Sequence, residues 1–264
     1  MLDLTVVTPT LNSDKTLEDT IRSVQCLVKK GAIHVIVDSG STDNTLNLAR
    51  SYNVQTLYCE PGNMYEAINT GLSTASTKYL TYINSDDVLY ADAIEEMISL
   101  MEKFDKDVAY GNIDYIDEFN RFLFLRRSPP SCLLSYFSYF YNPFPQQGSI
   151  FSSKLYKSIG GFDTNYKYSA DFDFFLRCSQ AETDFLKYKT KSVAGFRLSP
   201  SQLSQSMRHV MRLDGRKITA LYRKNKPRKI YYLRVFVTLY RIFSNIDGIY
   251  LRKIRGFNLD SKWR

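Results

Sequence analysis

Short apolar runs alternate with stretches of helical spacing through the first half of the chain. The apolar runs predict strands at residues 4–8, 34–38, 54–58, 79–83 and 108–110. The spacing of apolar residues predicts helices at 15–27, 44–52, 64–73 and from residue 91 onward. Strands and helices that alternate in this way are typical of an α/β fold with a mostly parallel central sheet.

Punctuating residues set the expected ends of these elements. We expect Pro9 to end the first strand, and Asn12 or Ser13 to cap the helix that follows it. Gly71 is expected to end the helix at 64–73.

The regular alternation breaks after residue 112, where a strand at 121–127 and a helix at 170–180 are predicted. Acidic residues become sparse beyond residue 207, and a dense basic cluster begins at Arg223. We therefore expect an α/β domain at 1–207 and a basic, aromatic-rich helical tail at 208–264.

The chain of 264 residues is 44% hydrophobic, enough for one sizeable core, and its net charge of +8 is unevenly placed. Residues 208–264 hold 16 lysines and arginines against three acidic residues, a net charge of +13, so the rest carries −5. A mildly acidic body joined to a basic tail indicates two separate tasks. Because the body is acidic and shows no recognition motif, we expect no nucleic-acid partner.

Cysteine spacing and hydropathy indicate the compartment. The four cysteines are widely scattered without metal-site spacing, as expected of reduced thiols. From the first residues we expect no leading signal peptide, and no apolar run approaches the ~18 residues of a spanning helix. We therefore expect a cytoplasmic protein.

The segment Asn84-Ser85-Asp86-Asp87 directly follows the fourth apolar run. Two adjacent carboxylates suit a hard divalent ion, Mg²⁺ or Mn²⁺, of the kind that also binds substrate phosphates. The alternative is that the aspartates cap the helix that starts at Ala91.

Three further segments carry candidate chemistry. Asp38 ends an apolar strand and precedes a Gly-Ser-Thr turn, where its carboxylate can accept hydrogen bonds from a nucleobase or a ribose, or simply be solvated. The segment 64–71 is either a donor-site helix or a plain helix. Asp171 and Asp173 lie among aromatic residues, where partial burial favours a general base; a helix start is the alternative.

Taken together, these segments are far more specific than any one of them. They read VTPTLN at 7–12, VDSGSTD at 37–43, MYEAINTG at 64–71, NSDD at 84–87, GGFD at 160–163 and DFD at 171–173. In this order, over about residues 2–205, the chain resembles the inverting family 2 glycosyltransferases of the GT-A fold, and within them bacterial enzymes that build surface polysaccharides.

The resemblance implies a GT-A type, Rossmann-like nucleotide-sugar-binding domain and a role for each matching residue. Asp38 would hold the base, Asp86 would hold Mn²⁺ or Mg²⁺ on the diphosphate, and Asp171 would be the catalytic base. The remaining residues implied in the nucleotide-sugar site are Pro9, Thr10, Asn12, Ser41, Glu60, Asn69, Asn84, Ser85 and Asp87.

The chain departs from the family pattern at three places. Asn84 stands where Asp is common, so metal binding depends mainly on Asp86. Gln146-Gln147 replaces a His-Gln pair, and the region around Arg197 has no histidine where some relatives place a metal ligand.

The implied reaction moves a sugar from a nucleoside-diphosphate sugar, UDP-linked, to a glycan or lipid-linked acceptor. One alternative is a sugar-nucleotide nucleotidyltransferase, but that class needs a glycine-rich basic loop after the first strand, and residues 8–12 offer none. A non-catalytic nucleotide- or glycan-binding module is the other.

The segment 230–250 mixes aromatic and aliphatic residues with Arg234 and Arg241. This composition predicts an interfacial helix on an anionic bilayer, which would make the protein peripheral at the inner face of the cell membrane. Packing on the catalytic domain and an oligomer contact stay open as alternatives.

Overall fold

A computed structural model describes residues 1–134, 142, 144–181, 183–199, 207–223 and 230–246. Its strands are β1 Leu4–Thr10, β2 Ile33–Asp38, β3 Gln55–Tyr58, β4 Tyr79–Tyr82, β5 Val88–Leu89, β6 Val108–Ile116, β7 Phe122–Arg126, β8 Ser149–Ser152 and β9 Phe185–Arg197. Its helices are α1 Leu17–Val28, α2 Thr45–Ser51, α3 Met64–Ser73, α4 Ala91–Phe104, α5 Ser153–Ser158, α6 Ala170–Gln180, α7 Arg208–Arg223 and α8 Ile230–Ser244.

The strands form one sheet in the order β3-β2-β1-β4-β8-β6-β9-β5, with β7 paired to β6. β3, β2, β1 and β4 are parallel to one another. Beyond β4 the sheet is mixed, since β8 is antiparallel to both β4 and β6, while β6 and β9 are parallel. The predicted α/β fold is therefore confirmed, and the carboxyl ends of β1, β2 and β4 lie at one edge of the sheet.

Helices cover both faces of the sheet. Adjacent residues of β1 point to opposite faces, so Val6 joins the core under α1 and α4 while Val7 joins the core under α3 and α6. This burial on both sides explains why the parallel strands consist of continuous apolar runs.

Pro9 does not end the first strand, contrary to expectation. β1 continues to Thr10, and Pro9 is paired in register with Val37 of β2. The pairing of β1 with β4 ends at Val7, whose carbonyl accepts from Ile83 N. The nitrogen of Pro9 faces the same side as Val7 but lies beyond the end of this pairing, so the missing N–H of Pro9 costs no bond between β1 and β4.

Gly71 does not end α3 either, since the helix continues to Ser73. A Cβ at Gly71 would lie 2.7 Å from Val7 Cγ1 and 2.9 Å from Val37 Cγ2. The glycine therefore lets α3 lie close against β1 and β2 at the edge of the sheet that carries the site.

The predicted side-chain caps were wrong as well. α1 begins after Thr16 with no side-chain cap, because Asn12 and Ser13 bond to neighbouring loops instead. α4 begins after Tyr90, also with no side-chain cap, so Asp86 and Asp87 do not serve as one.

The tail helices contact the body where they are described. Ile218 of α7 is buried in a cluster with Phe172 and Leu176 of α6. Residues 200–206, 224–229 and 247–264 lie outside the described residues, so the boundary at 207 and the basic clusters stay predictions, as does the aromatic stretch at 135–141. No described helix has the length and apolar character needed to cross a membrane.

We expect Gly71→Ala to destabilise the fold by about 1–3 kcal/mol, because the added methyl group overpacks two buried valines. Urea unfolding measures the effect. Gly215→Ala in α7 is the matched control, since its Cβ would meet nothing within 4 Å and alanine favours a helix. Equal effects of the two substitutions would contradict the packing role of Gly71.

Candidate active site

Three loops at the carboxyl edge of the sheet are bonded to one another. Asn12, which adopts a positive φ of 50°, accepts from Thr42 N at 2.9 Å and donates its own N–H to Ser41 Oγ at 2.9 Å. Ser13 Oγ lies 2.8 Å from Ser85 Oγ. The loops after β1, β2 and β4 therefore form one preorganised wall, as the predicted grouping of these residues requires.

Asp38 lies at the end of β2 and is 2% exposed. One carboxylate oxygen accepts from Thr10 Oγ1 at 3.0 Å and Ser41 Oγ at 2.5 Å, and the other accepts from the N–H groups of Gly40 and Ser41 at 2.9 and 2.8 Å. Each oxygen already has two donors, so a nucleobase N–H would have to replace or share one of them. The contact between Asp38 and a base stays a prediction.

Asp87 is fully buried and accepts hydrogen bonds from three sides. Its carboxylate binds Arg197 N at 2.9 Å, Gln147 Nε2 at 2.9 Å and Asn84 Nδ2 at 3.3 Å. Burial raises the pKa of Asp87, and the neighbouring charge of Asp86 raises it further. We expected Asp87 beside the donor; with no exposed surface, its side chain instead anchors the loop.

Arg197 completes this anchor with a side chain that is 2% exposed. Its guanidinium donates to the backbone oxygens of Asp86, Asp117 and Glu118 at 2.7–3.3 Å and to the Asp19 carboxylate at 3.0 Å. A buried cation is tolerated only when its donors are satisfied in this way. No local pattern around Arg197 indicates this role, because its partners are far away along the chain.

Gln146 and Gln147 are two further residues whose role was missed. Gln146 Nε2 donates to the carbonyl of Tyr82 at 2.5 Å, and Gln147 holds Asp87. The amide pair therefore braces the end of β4, and its departure from the family pattern noted above was the one available signal.

Asp86 is partly exposed at this edge, next to the anchored Asp87. No group of three or more His, Cys, Asp or Glu side chains suited to a metal exists among the residues described. The amide oxygen of Asn84 is buried without a hydrogen-bond partner, and amide and carboxylate oxygens are ligands that hard cations prefer. These residues fit a divalent ion whose remaining ligands come from a diphosphate and water.

Asp171, at the start of α6, is partly buried and held by two donors. Its carboxylate accepts from Tyr65 OH at 3.0 Å and from Asn142 Nδ2 at 2.8 Å. Burial raises the pKa of Asp171, and the bond from Tyr65 opposes that rise. The Tyr65 ring lies 6.4 Å from the ring of Tyr82, the last residue of β4, so Asp171 lies near the carboxyl end of that strand.

Arg177 is bonded to Asp173, and no described contact joins it to Asp171. It pairs with Asp173 at 2.7 Å and donates to the carbonyls of Ile159 and Gly161. The second oxygen of Asp173 accepts from Tyr222 OH of α7 at 3.1 Å. Asp173 is therefore a buried structural residue that joins α6, the Gly-Gly turn and α7.

Asn69 and Glu60 differ in their surroundings. Asn69 bonds to both the N–H and the carbonyl of Phe162 and to Tyr156 OH, at 2.7–3.1 Å. Its amide therefore holds the 160–163 loop, and any influence on the donor pocket acts through that loop. Glu60 is exposed beyond β3, and its role stays a prediction.

This arrangement defines an α/β protein with the GT-A type of nucleotide-sugar-binding fold. The family described as Glycosyl transferase family 2 matches residues 5–166, which is more than half of the chain. The chain belongs to glycosyl transferase family 2, as the sequence motifs predicted.

The curated relative described next matches the chain at low sequence identity. The chain is 28% identical over 183 residues to an uncharacterised glycosyltransferase of Rickettsia prowazekii, a match that covers 66% of this chain and 58% of the relative. The similarity therefore spans about three fifths of that relative's length.

Two solved structures share the fold. S. aureus TarS 1–349 in complex with UDP-GlcNAc gives a TM-score of 0.66 at 19% identity, covering 96% of this chain and 76% of that one. Glucosyl-3-phosphoglycerate synthase from Mycobacterium tuberculosis, solved with Mn²⁺, UDP and glucosyl-3-phosphoglycerate, gives 0.59 at 18% identity, covering 85% and 80%.

The two aspartates of α6 should respond differently to amidation. We expect Asp173→Asn to cost about 2–4 kcal/mol of unfolding free energy, because it breaks a buried ion pair with Arg177. Asp171→Asn should change stability by less than about 1 kcal/mol, since an amide oxygen still accepts from Tyr65 and Asn142 can flip to accept from the new amide.

Denaturant unfolding of both variants at neutral and acidic pH tests this assignment. The raised pKa of Asp171 means that ionisation of its carboxyl group lowers the free energy of unfolding. This loss of stability is absent below the pKa of the unfolded state, and it reaches its full size once the pH has risen above the pKa of the folded state. Asp171→Asn should therefore remove that cost at neutral pH. A larger loss of stability in Asp171→Asn than in Asp173→Asn would reverse the two roles.

Proposed function

We propose that the protein is an inverting glycosyltransferase that moves one sugar from a UDP-linked donor to a hydroxyl of a glycan or lipid-linked acceptor. The observation that carries the proposal is the pair of carboxylates at one sheet edge: Asp86 on an anchored loop, and Asp171 partly buried and held by Tyr65. Both solved relatives named above bind uridine nucleotides, which supports UDP as the carrier.

Asp171 performs the proton transfer. A carboxylate oxygen takes the proton of the acceptor hydroxyl, whose oxygen bonds to the anomeric carbon as the bond to the diphosphate oxygen breaks. Attack from the face opposite the leaving group inverts the anomeric configuration. Because burial raises its pKa, Asp171 is a stronger base than an ordinary aspartate.

Asp86 and Asn84 would hold Mn²⁺ or Mg²⁺, whose remaining ligands would come from the donor diphosphate and water. Such an ion neutralises the charge that develops on the departing nucleoside diphosphate. The second solved relative contains Mn²⁺ with UDP, which supports a divalent ion here. The loop contacts of Asn12, Ser41 and Ser85 keep this wall in place without a ligand.

We further propose that the reaction belongs to surface-polysaccharide biosynthesis and takes place at the inner face of the cell membrane, with the protein peripheral. The support is the motif resemblance together with the basic tail. A panel of UDP-, GDP- and dTDP-sugars, assayed for metal-dependent hydrolysis and transfer, tests the donor class. Nucleotide binding without hydrolysis or transfer of any donor would favour a binding module instead.

We expect Asp171→Asn to lower transfer by about 10²–10⁴-fold, because the amide cannot accept a proton, while UDP affinity stays within about two-fold. Asp184→Asn, an exposed carboxylate paired with Lys106, is the control and should keep full activity. The wild-type rate should fall on the acid side at a pH above the ordinary pKa of aspartate, as Asp171 becomes protonated. Full transfer activity in Asp171→Asn would remove the base assignment.

We expect Asp86→Ala to abolish Mn²⁺-dependent donor turnover and to remove the gain in UDP affinity that Mn²⁺ gives the wild type. Calorimetry with and without Mn²⁺ measures the affinity, and thermal unfolding checks that the fold is intact. Asp184→Ala serves as the control. Wild-type activity that persists in EDTA, or undiminished turnover in Asp86→Ala, would contradict the metal assignment.

A further inference from the structure

Helix α8 is fixed to the body by one of its faces. Val237 is fully buried, and two bonds secure the end of the helix: Arg127 N donates to Asn245 Oδ1 at 2.8 Å, and Arg127 Nη1 donates to the carbonyl of Ser244 at 3.1 Å. The orientation of α8 about its own axis is therefore defined from Val237 onward.

The opposite face of α8 is apolar and exposed. At 100° per residue, the exposed apolar side chains described over 235–246, five on α8 and one just after it, fall within about 120° of arc, centred roughly opposite Val237. Their exposure ranges from 40% to 68%, and they are Val235, Phe236, Leu239, Ile242, Phe243 and Ile246. No charged side chain lies within that arc in the described part of the helix. An uncovered apolar stripe of this size marks a contact surface.

We propose that this outer face of α8 docks on the interface of an anionic lipid bilayer. The 15 residues of Ile230–Ser244 contain no acidic residue, and Arg234 and Arg241 are exposed on the flank between the apolar arc and the body. With the arc immersed to about 5–10 Å, arginines on the flank can reach lipid headgroups.

Charge favours a bilayer over a second copy of this chain. Residues 208–264 carry a net charge of +13, which attracts anionic lipid, whereas apposing two such tails brings like charges together. The helix is also too short to span, so it lies in the plane of the interface. This inference does not depend on the proposed transfer reaction.

The test compares full-length variants in sedimentation with vesicles of equimolar phosphatidylcholine and phosphatidylglycerol. We expect Phe243→Glu to weaken vesicle binding by at least about ten-fold, because a large apolar group can no longer be buried. Phe119→Glu is the matched control, since Phe119 is 66% exposed against 68% for Phe243 and lies in the turn between β6 and β7. It should bind as the wild type does.

The arginines and the solution state give independent checks. Arg234→Gln and Arg241→Gln should each weaken binding by about five-fold on anionic vesicles and hardly at all on pure phosphatidylcholine. The proposal would be overturned if the wild-type protein did not sediment with the vesicles, or if Phe243→Glu bound them as strongly as the wild type does. A concentration-dependent dimer in sedimentation velocity that Phe243→Glu dissociates, without vesicle binding by the wild type, would assign the face to a second copy instead.

Discussion

The buried contact between the Asp87 carboxylate and the backbone of Arg197 is the constraint on which the site depends. β5 follows Asp87 directly and pairs antiparallel with β9 at Ala194 and Gly195, just before Arg197. This pairing brings the two residues together although they are 110 positions apart. The Arg197 side chain donates to the carbonyl of Asp86 and so fixes the loop that carries this partly exposed carboxylate. The site is therefore preorganised, and ligand binding would require little further ordering of this loop.

A second anchor holds the other half of the site. Asp173 and Arg177 tie α6 to the 160–163 turn and, through Tyr222, to α7. Asp171 lies two residues before this anchor, which explains how two aspartates in one short motif have opposite roles: one is buried and paired, and the other faces polar donors. Helix α7 of the basic tail is thus part of the support for the proposed base, while α8 presents its apolar face outward.

Sequence patterns predicted the parallel half of the sheet and most of the helices, because these elements carry local signals, whereas β5, β8 and β9 were not predicted. Apolar runs marked the parallel strands, and motif order indicated the family and the edge that holds Asp38 and Asp86. What escaped prediction depends on contacts distant in sequence. Nothing near Arg197 indicates its four acceptors, and Gly71 resembles a helix stop until Val7 and Val37 are seen against it. Asn12 and Ser13 resemble caps but bond to loops that only the sheet brings near them.

The most direct test of this account is the Mn²⁺-dependent gain in UDP affinity of Arg197→Lys, measured by calorimetry. Lysine keeps the charge but cannot reach the four acceptors of the guanidinium, so the loop of Asp86 should lose its fixed position. We predict a variant that still unfolds cooperatively and whose metal-dependent gain falls by about ten-fold, or about 1.4 kcal/mol. Arg22→Lys, in an exposed pair with Glu18, should leave the gain unchanged. A folded Arg197→Lys with the full wild-type gain would contradict the account.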